Sequence, residues 1–126
     1  MMERLFYVGL AGAVGSVLRF LIAGWVQRSS AAFPVGTFAV NVLGCLVMGF
    51  LAERLTPEAV HPNLRAAVLV GLLGGFTTFS AFSWETWKLF ELGRVGSGLL
   101  NVLLNVTCCV LGVWCGVRLA RGLLAS

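Results

Sequence analysis

Four apolar runs, each close to the length a helix needs to cross a bilayer, dominate this chain and limit what it can become. A spanning helix takes about 20 consecutive, mostly apolar residues. The runs lie at about 5–26, 35–52, 64–90 and 98–117, joined by short connections at 27–34, 53–63 and 91–97. Charged residues stand at their ends: Glu3 and Arg4, Arg28, Glu53 and Arg54, Arg118 and Arg121. Pro57 and Pro62 interrupt the second connection. The first run is long for a signal peptide and carries Arg19 and several glycines, so it reads as a span. The expectation is an all-α integral membrane protein, with one four-helix transmembrane domain over residues 1–126.

Composition closes off the alternatives. Hydrophobic residues make up 59% and charged residues 11% of the 126, with a mean hydropathy of +0.95. A soluble domain this small must cover most of its surface with polar groups, and disordered chains are poor in apolar residues. The net charge is +4, but the nine basic residues are scattered and form no nucleic-acid patch. Their excess suits contact with anionic lipid headgroups. Cys45, Cys108, Cys109 and Cys115 all lie in apolar runs without a C-x-x-C pair. They fit neither a disulfide framework nor a zinc site, and read as small apolar fillers.

An even number of spans puts both termini on one side. That side holds Arg4, Arg54, Arg65, Arg118 and Arg121, five residues, against three on the other, Arg28, Lys88 and Arg94. Lys and Arg flanks set orientation, and this bias is weak. It leaves two readings open: termini inside, or a chain that inserts both ways and pairs antiparallel.

Several residues within the spans call for an explanation. In the first, Gly12 and Ser16, Gly9 and Ala13, and Gly15 and Arg19 are spaced by four, the pattern that lets helix backbones approach in lipid. Arg19 is costly inside a span unless it faces protein, water or a partner. It is either a structural anchor that snorkels to the interface or an element that draws anions into a vestibule. Asn41, with Thr37 one turn before it, is either an interhelical hydrogen-bonding group or a donor on a polar path. Asn101, Asn105 and Thr107 pose the same question in the fourth span, where Asn101 and Asn105 share a face.

The third span carries the strongest signal. Gly74-Gly75-Phe76-Thr77-Thr78 is poor helix at mid-membrane depth. Interrupted helices persist there only when buried in protein or lining a cavity, and half-helix ends commonly coordinate ions. The run is either a cation site built of backbone oxygens or a glycine pair at a crowded crossing. Beyond it, Phe79 and Phe82 are spaced to stack on one face, and Thr77, Ser80 and Ser83 to form a hydroxyl stripe beside them. Phenyl rings have positive edges, so ring edges and hydroxyls together can hold an anion weakly at several points, as conduction requires. Trp84 and Trp87 mark the interface, with Glu85 there as a vestibule residue or an interfacial charge.

The stretch Gly74-Gly75-Phe76-Thr77-Thr78-Phe79-Ser80-Ala81-Phe82-Ser83, closed by Glu85, resembles the signature of the Fluc/CrcB fluoride channels. Gly36-Thr37 with Asn41 and Gly44 is similar to that family's second-helix motif, and Gly15 with Arg19 to its first. The resemblance spans essentially the whole chain. It implies an antiparallel dual-topology homodimer of four-helix subunits with a broken third helix, in the cell (inner) membrane. It implies two fluoride pores per dimer and passive export of cytoplasmic fluoride. It implies a structural Na+ at the dimer centre, held by the carbonyls of Gly74 and Thr77. Phe79 and Phe82 would be the pore phenylalanines and Asn41 the pore asparagine. Ser80 and Thr37 would lie on the polar track, and Arg19 near the vestibule. Two positions depart from the family pattern: Ala81 stands where Thr is frequent, and Cys108-Cys109 where Gly-Ser is.

Two other readings explain less. A proton-coupled drug exporter needs a membrane-embedded carboxylate, and the first two spans hold none at mid-depth. An assembly subunit without transport gives no reason for the interrupted third span. The sole histidine, His61, lies in a connection, and no nucleophile–base pair is visible.

Overall fold

A computed structural model of the chain describes residues 1–30 and 32–124. Residue 31 of the first connection and residues 125–126 lie outside the described residues. The described elements are all helical: α1 (Met2–Gln27), α2 (Val35–Arg54), α3 (Pro62–Ala66), a π-helical stretch (Ala67–Leu72), α4 (Leu73–Phe76), α5 (Phe79–Glu91) and α6 (Val95–Leu124). Four helical stretches are long and apolar enough to cross a membrane: Met2–Gln27, Val35–Arg54, Pro62–Glu91 and Val95–Leu123. They extend beyond the apolar runs because flanking residues such as Glu3, Arg54 and Arg121 continue the helices.

Side chains fasten the connections. Gln27 ends α1 and folds over the next turn. Its Oε1 accepts from the Gly36 amide at 3.0 Å, and its Nε2 donates to the carbonyls of Ser30 and Phe33. Pro34 offers α2 no side-chain cap, so Gln27 satisfies an amide of the first turn that would otherwise be orphaned. Before α3, His61 Nδ1 accepts from the Asn63 amide at 3.2 Å, and Pro62 occupies the first helical position. Gly93, with φ of +69°, makes the turn from α5 into α6, a conformation that costs glycine little.

The packing is built on glycine. α2 lies along α6, and α1 lies against the π-helical stretch and α4. A β-carbon at Gly15 would overlap the Leu72 carbonyl, and one at Gly75 would stand 2.5 Å from the Gly12 carbonyl oxygen. A β-carbon at Gly116 would overlap the Leu46 carbonyl. Such contacts bring backbones together where dispersion, not water exclusion, drives helix association. Gly9, by contrast, has open space around it. Gly15 is the one fully buried residue of α1; Val8, Ala11, Gly12 and Ala23 pack beside it on the same inward side, half-buried.

The third span is interrupted at Thr77–Thr78 rather than at the glycine pair. Thr77 (φ −88°, ψ 158°) and Thr78 (φ −151°, ψ 116°) are extended, whereas Gly74 and Gly75 remain in α4. The preceding π-helical turns are a feature frequent at functional sites.

A candidate ion pathway at the interrupted helix

Thr78 is fixed from α2. Its amide donates to Asn41 Oδ1 at 2.8 Å, and its carbonyl accepts from Asn41 Nδ2 at 3.0 Å. Both residues are buried. In an uninterrupted helix the Thr78 amide would close on the Gly74 carbonyl; Asn41 takes that bond. One turn later, the Ala81 amide, which would close on the Thr77 carbonyl, goes to Thr78 Oγ1 at 3.1 Å and caps α5. The carbonyls of Gly74 and Thr77 thus lose their usual helical donors. Thr77 itself is held back toward α4, its amide and its Oγ1 both donating to the Leu73 carbonyl at 3.0 Å.

From Asn41 a buried polar chain runs along α5 and α6. Asn41 Nδ2 is 3.3 Å from Asn105 Oδ1; Asn105 Nδ2 donates to Asn101 Oδ1 at 2.9 Å and to its carbonyl at 3.0 Å. Asn101 Nδ2 donates to Thr86 Oγ1 at 2.9 Å, and Thr86 donates to the Phe82 carbonyl at 2.8 Å. The shared face of Asn101 and Asn105 was visible in the sequence. Thr86 was missed; its position one turn beyond Phe82 was the available clue.

Two grooves flank Thr78. One, of about 330 Å³, is lined by Asn41, Thr77, Phe79, Phe82 and Asn105 among others. The rings of Phe79 and Phe82 lie 5.2 Å apart, tilted by 57°. Phe82 is 7% exposed and Phe79 76%, so only the first is enclosed within a single chain. The other groove, of about 480 Å³, is lined by Arg19, Thr37, Ser80 and Ala81, with Ser16 and Thr78. The residues read from the sequence therefore divide into two sets on either side of Thr78. The Phe pair and Asn41 are on one; Arg19, Thr37 and Ser80 are on the other. Arg19 makes no ion pair or hydrogen bond among the described residues.

The hydroxyl stripe of Thr77, Ser80 and Ser83 does not form. Thr77 precedes α5 and is out of its register, Ser83 Oγ donates to the Phe79 carbonyl at 2.9 Å, and Ser80 Oγ is 3.2 Å from Thr78 Oγ1. Thr37 Oγ1 donates to Glu85 Oε1 at 2.7 Å, which links the second groove to Glu85. Glu85 Oε2 is buried with no hydrogen-bond partner among the described residues. Trp84 and Trp87 are exposed, and Lys88 Nζ sits 4.7 Å from the Trp84 ring centre. Gly74 is exposed and Thr77 half-buried.

Four long apolar helices, with buried amides and hydroxyls gathered at one interrupted helix, define a small polytopic membrane protein with a polar path into its interior. The chain belongs to the CrcB family: residues 6–117 match the family described as CrcB-like protein, Camphor Resistance (CrcB). It is 42% identical to the fluoride-specific ion channel FluC of Citrifermentans bemidjiense, over 97% of this chain and 100% of that one. It is 45% identical to the FluC of Geobacter sulfurreducens over the same shares. It is 48% identical to the FluC of Sulfurovum sp., over 94% of each.

Proposed function

We propose that this chain is a fluoride-selective channel of the cell membrane that lets cytoplasmic fluoride leave passively, as an antiparallel homodimer with two pathways. The single observation that carries the reading is the enclosure of Phe82 beside Asn41 at the interrupted helix, in a chain matching fluoride-specific channels along nearly its whole length. Fluoride must shed water to enter so apolar a groove. The edges of Phe79 and Phe82 offset part of that cost, as does the Asn41 Nδ2 hydrogen shared at 3.3 Å with Asn105. Ser80 and Thr37 supply hydroxyls on the other side of Thr78, with Arg19 and Glu85 toward the vestibules. Binding that is weak and spread over several points permits passage.

What one chain leaves uncovered supports the dimer. Non-helical backbone at membrane depth must be buried in protein or line a watery cavity, yet Gly74 and Phe79 are exposed. A second copy over this face would enclose both. The weak Lys and Arg bias of the flanks suits two orientations. The Gly74 and Thr77 carbonyls, relieved of their usual donors, fit a hard cation that takes oxygen ligands, and the proposed ion is a Na+ held by both chains. Such an ion would supply fixed positive charge to join the two copies.

Reconstitution in liposomes tests the function directly. Fluoride efflux is followed with an electrode, with chloride as control. Rapid fluoride loss with chloride retained is the expected outcome; a folded protein that passes neither ion overturns the reading.

A further inference from the structure

Asn41 and Cys45 are one helical turn apart on α2, and Asn105 and Cys109 one turn apart on α6. The first level of this ladder is the Asn41–Asn105 hydrogen bond. At the second level Cys45 and Cys109 stand at the same register of the two helices and line one groove. Gly112 lets the helices meet here: a β-carbon at that position would lie 3.3 Å from the Val42 carbonyl oxygen and 3.6 Å from Cys45 Cβ. Both thiols are free and half-buried, and both line the groove that holds Phe79 and Phe82.

We propose that Cys45 and Cys109 form a two-thiol site for a divalent, two-coordinate soft cation of the mercuric class, in the groove wall beside Phe79 and Phe82. Thiolates select soft metals. No third His, Cys, Asp or Glu completes a cluster among the described residues, which disfavours zinc with its four tetrahedral ligands. A linear cation needs only two. Charge favours the divalent ion: two thiolates neutralise it, so the complex carries no net charge into an apolar groove. Neutral mercuric chloride can reach the site through lipid. Two thiols and one HgCl2 give one S–Hg–S bridge, two protons and two chloride ions. The bridge ties α2 to α6 one turn from Asn41 and narrows the groove.

The binding site stands on the register of α2 and α6 and their shared groove; its effect on transport rests on the channel reading. The test uses the full-length chain with Cys108→Ser and Cys115→Ser as background. It is loaded with HgCl2, washed with a monothiol, and assayed for bound mercury and free thiols. One mercury per chain, with both thiols lost together, is expected. Adding Cys45→Ser or Cys109→Ser should lower the retained mercury about a hundredfold, because a single thiol loses the advantage of two linked contacts. Alanine replacements, checked for monodisperse elution, serve where a serine variant misfolds. Two mercury ions per chain, or undiminished retention in either single variant, overturns the proposal. In liposomes, loading should slow fluoride efflux and a dithiol should restore it. Unloaded protein that passes no fluoride would count against the channel and leave the binding result intact. Tight binding with full efflux would confine the proposal to a site that does not obstruct the path.

Discussion

The side-chain amide of Asn41 pairs with both backbone groups of Thr78, accepting from its N–H at 2.8 Å and donating to its C=O at 3.0 Å. Opposed residues of an antiparallel ladder exchange bonds in the same way. One side chain from α2 thus plays the part of a neighbouring strand and holds Thr78 extended between two helical segments.

Replacing Asn41 by Ala should destabilise the protein, since a buried backbone group left unpaired costs about 1–3 kcal/mol. Thermal unfolding in detergent, followed by tryptophan fluorescence, should show the loss, and fluoride efflux should fall with it. An unchanged unfolding curve would mean that the interruption is held by something other than Asn41.

Phe82→Ile should leave the chain folded and cut fluoride efflux by about tenfold or more, the factor that ~1.4 kcal/mol of lost ion–ring attraction produces. Phe79→Ile should reduce efflux similarly. It should perturb the isolated subunit less, because Phe79 is 76% exposed there and Phe82 only 7%. Normal flux in both variants would take the rings out of the path.

Gly15→Ala should disrupt the bundle, because its β-carbon would overlap the Leu72 carbonyl, and backbone cannot swing aside as a side chain does. Overpacking of this kind costs about 1–3 kcal/mol or more. Gly96→Ala, with nothing within 4 Å of the added carbon, should be tolerated. The yield of monodisperse protein on size exclusion separates the two cases.

Thr78→Val removes the oxygen that receives the Ala81 amide and should cost about 1 kcal/mol, the usual worth of a helix N-cap. Thr78→Ser retains that oxygen and should unfold at the parent temperature. A loss in Thr78→Ser with none in Thr78→Val would place the contribution of Thr78 in its methyl group instead.

Glu53→Gln should change little. The Arg121 Nε–Glu53 Oε1 pair at 2.8 Å is exposed on the arginine side, and exposed pairs contribute about 0–1 kcal/mol. A large drop in unfolding temperature would show that Glu53 does more than pair with Arg121.

The four long helices could be read directly from the sequence, because hydropathy and length report them without any tertiary information. The interruption could be placed in the run 74–78, but not on its two residues within that run. Local propensity weighed the two glycines as heavily as the two threonines, yet Gly74 and Gly75 stay helical, and Gly75 packs against Gly12. What extends Thr78 is Asn41, 37 residues away in sequence, and nothing near Thr78 announces that partner. The hydroxyl stripe failed for the same reason, since counting from Thr77 assumes a helix that does not begin until Phe79. The Gln27 clasp over the first connection was equally hidden, because its acceptors and donor are backbone groups that any sequence has.

The extended pair at Thr77–Thr78 also has an electrical meaning. Peptide dipoles give a helix a positive N-terminal and a negative C-terminal pole. Here the C-terminal pole of Pro62–Phe76 and the N-terminal pole of Phe79–Glu91 meet with two residues between them. In a straight helix they would cancel into the run of the backbone. Separated, they give the membrane interior two adjacent partial charges of opposite sign, with no ionised side chain at Thr77 or Thr78 to supply either.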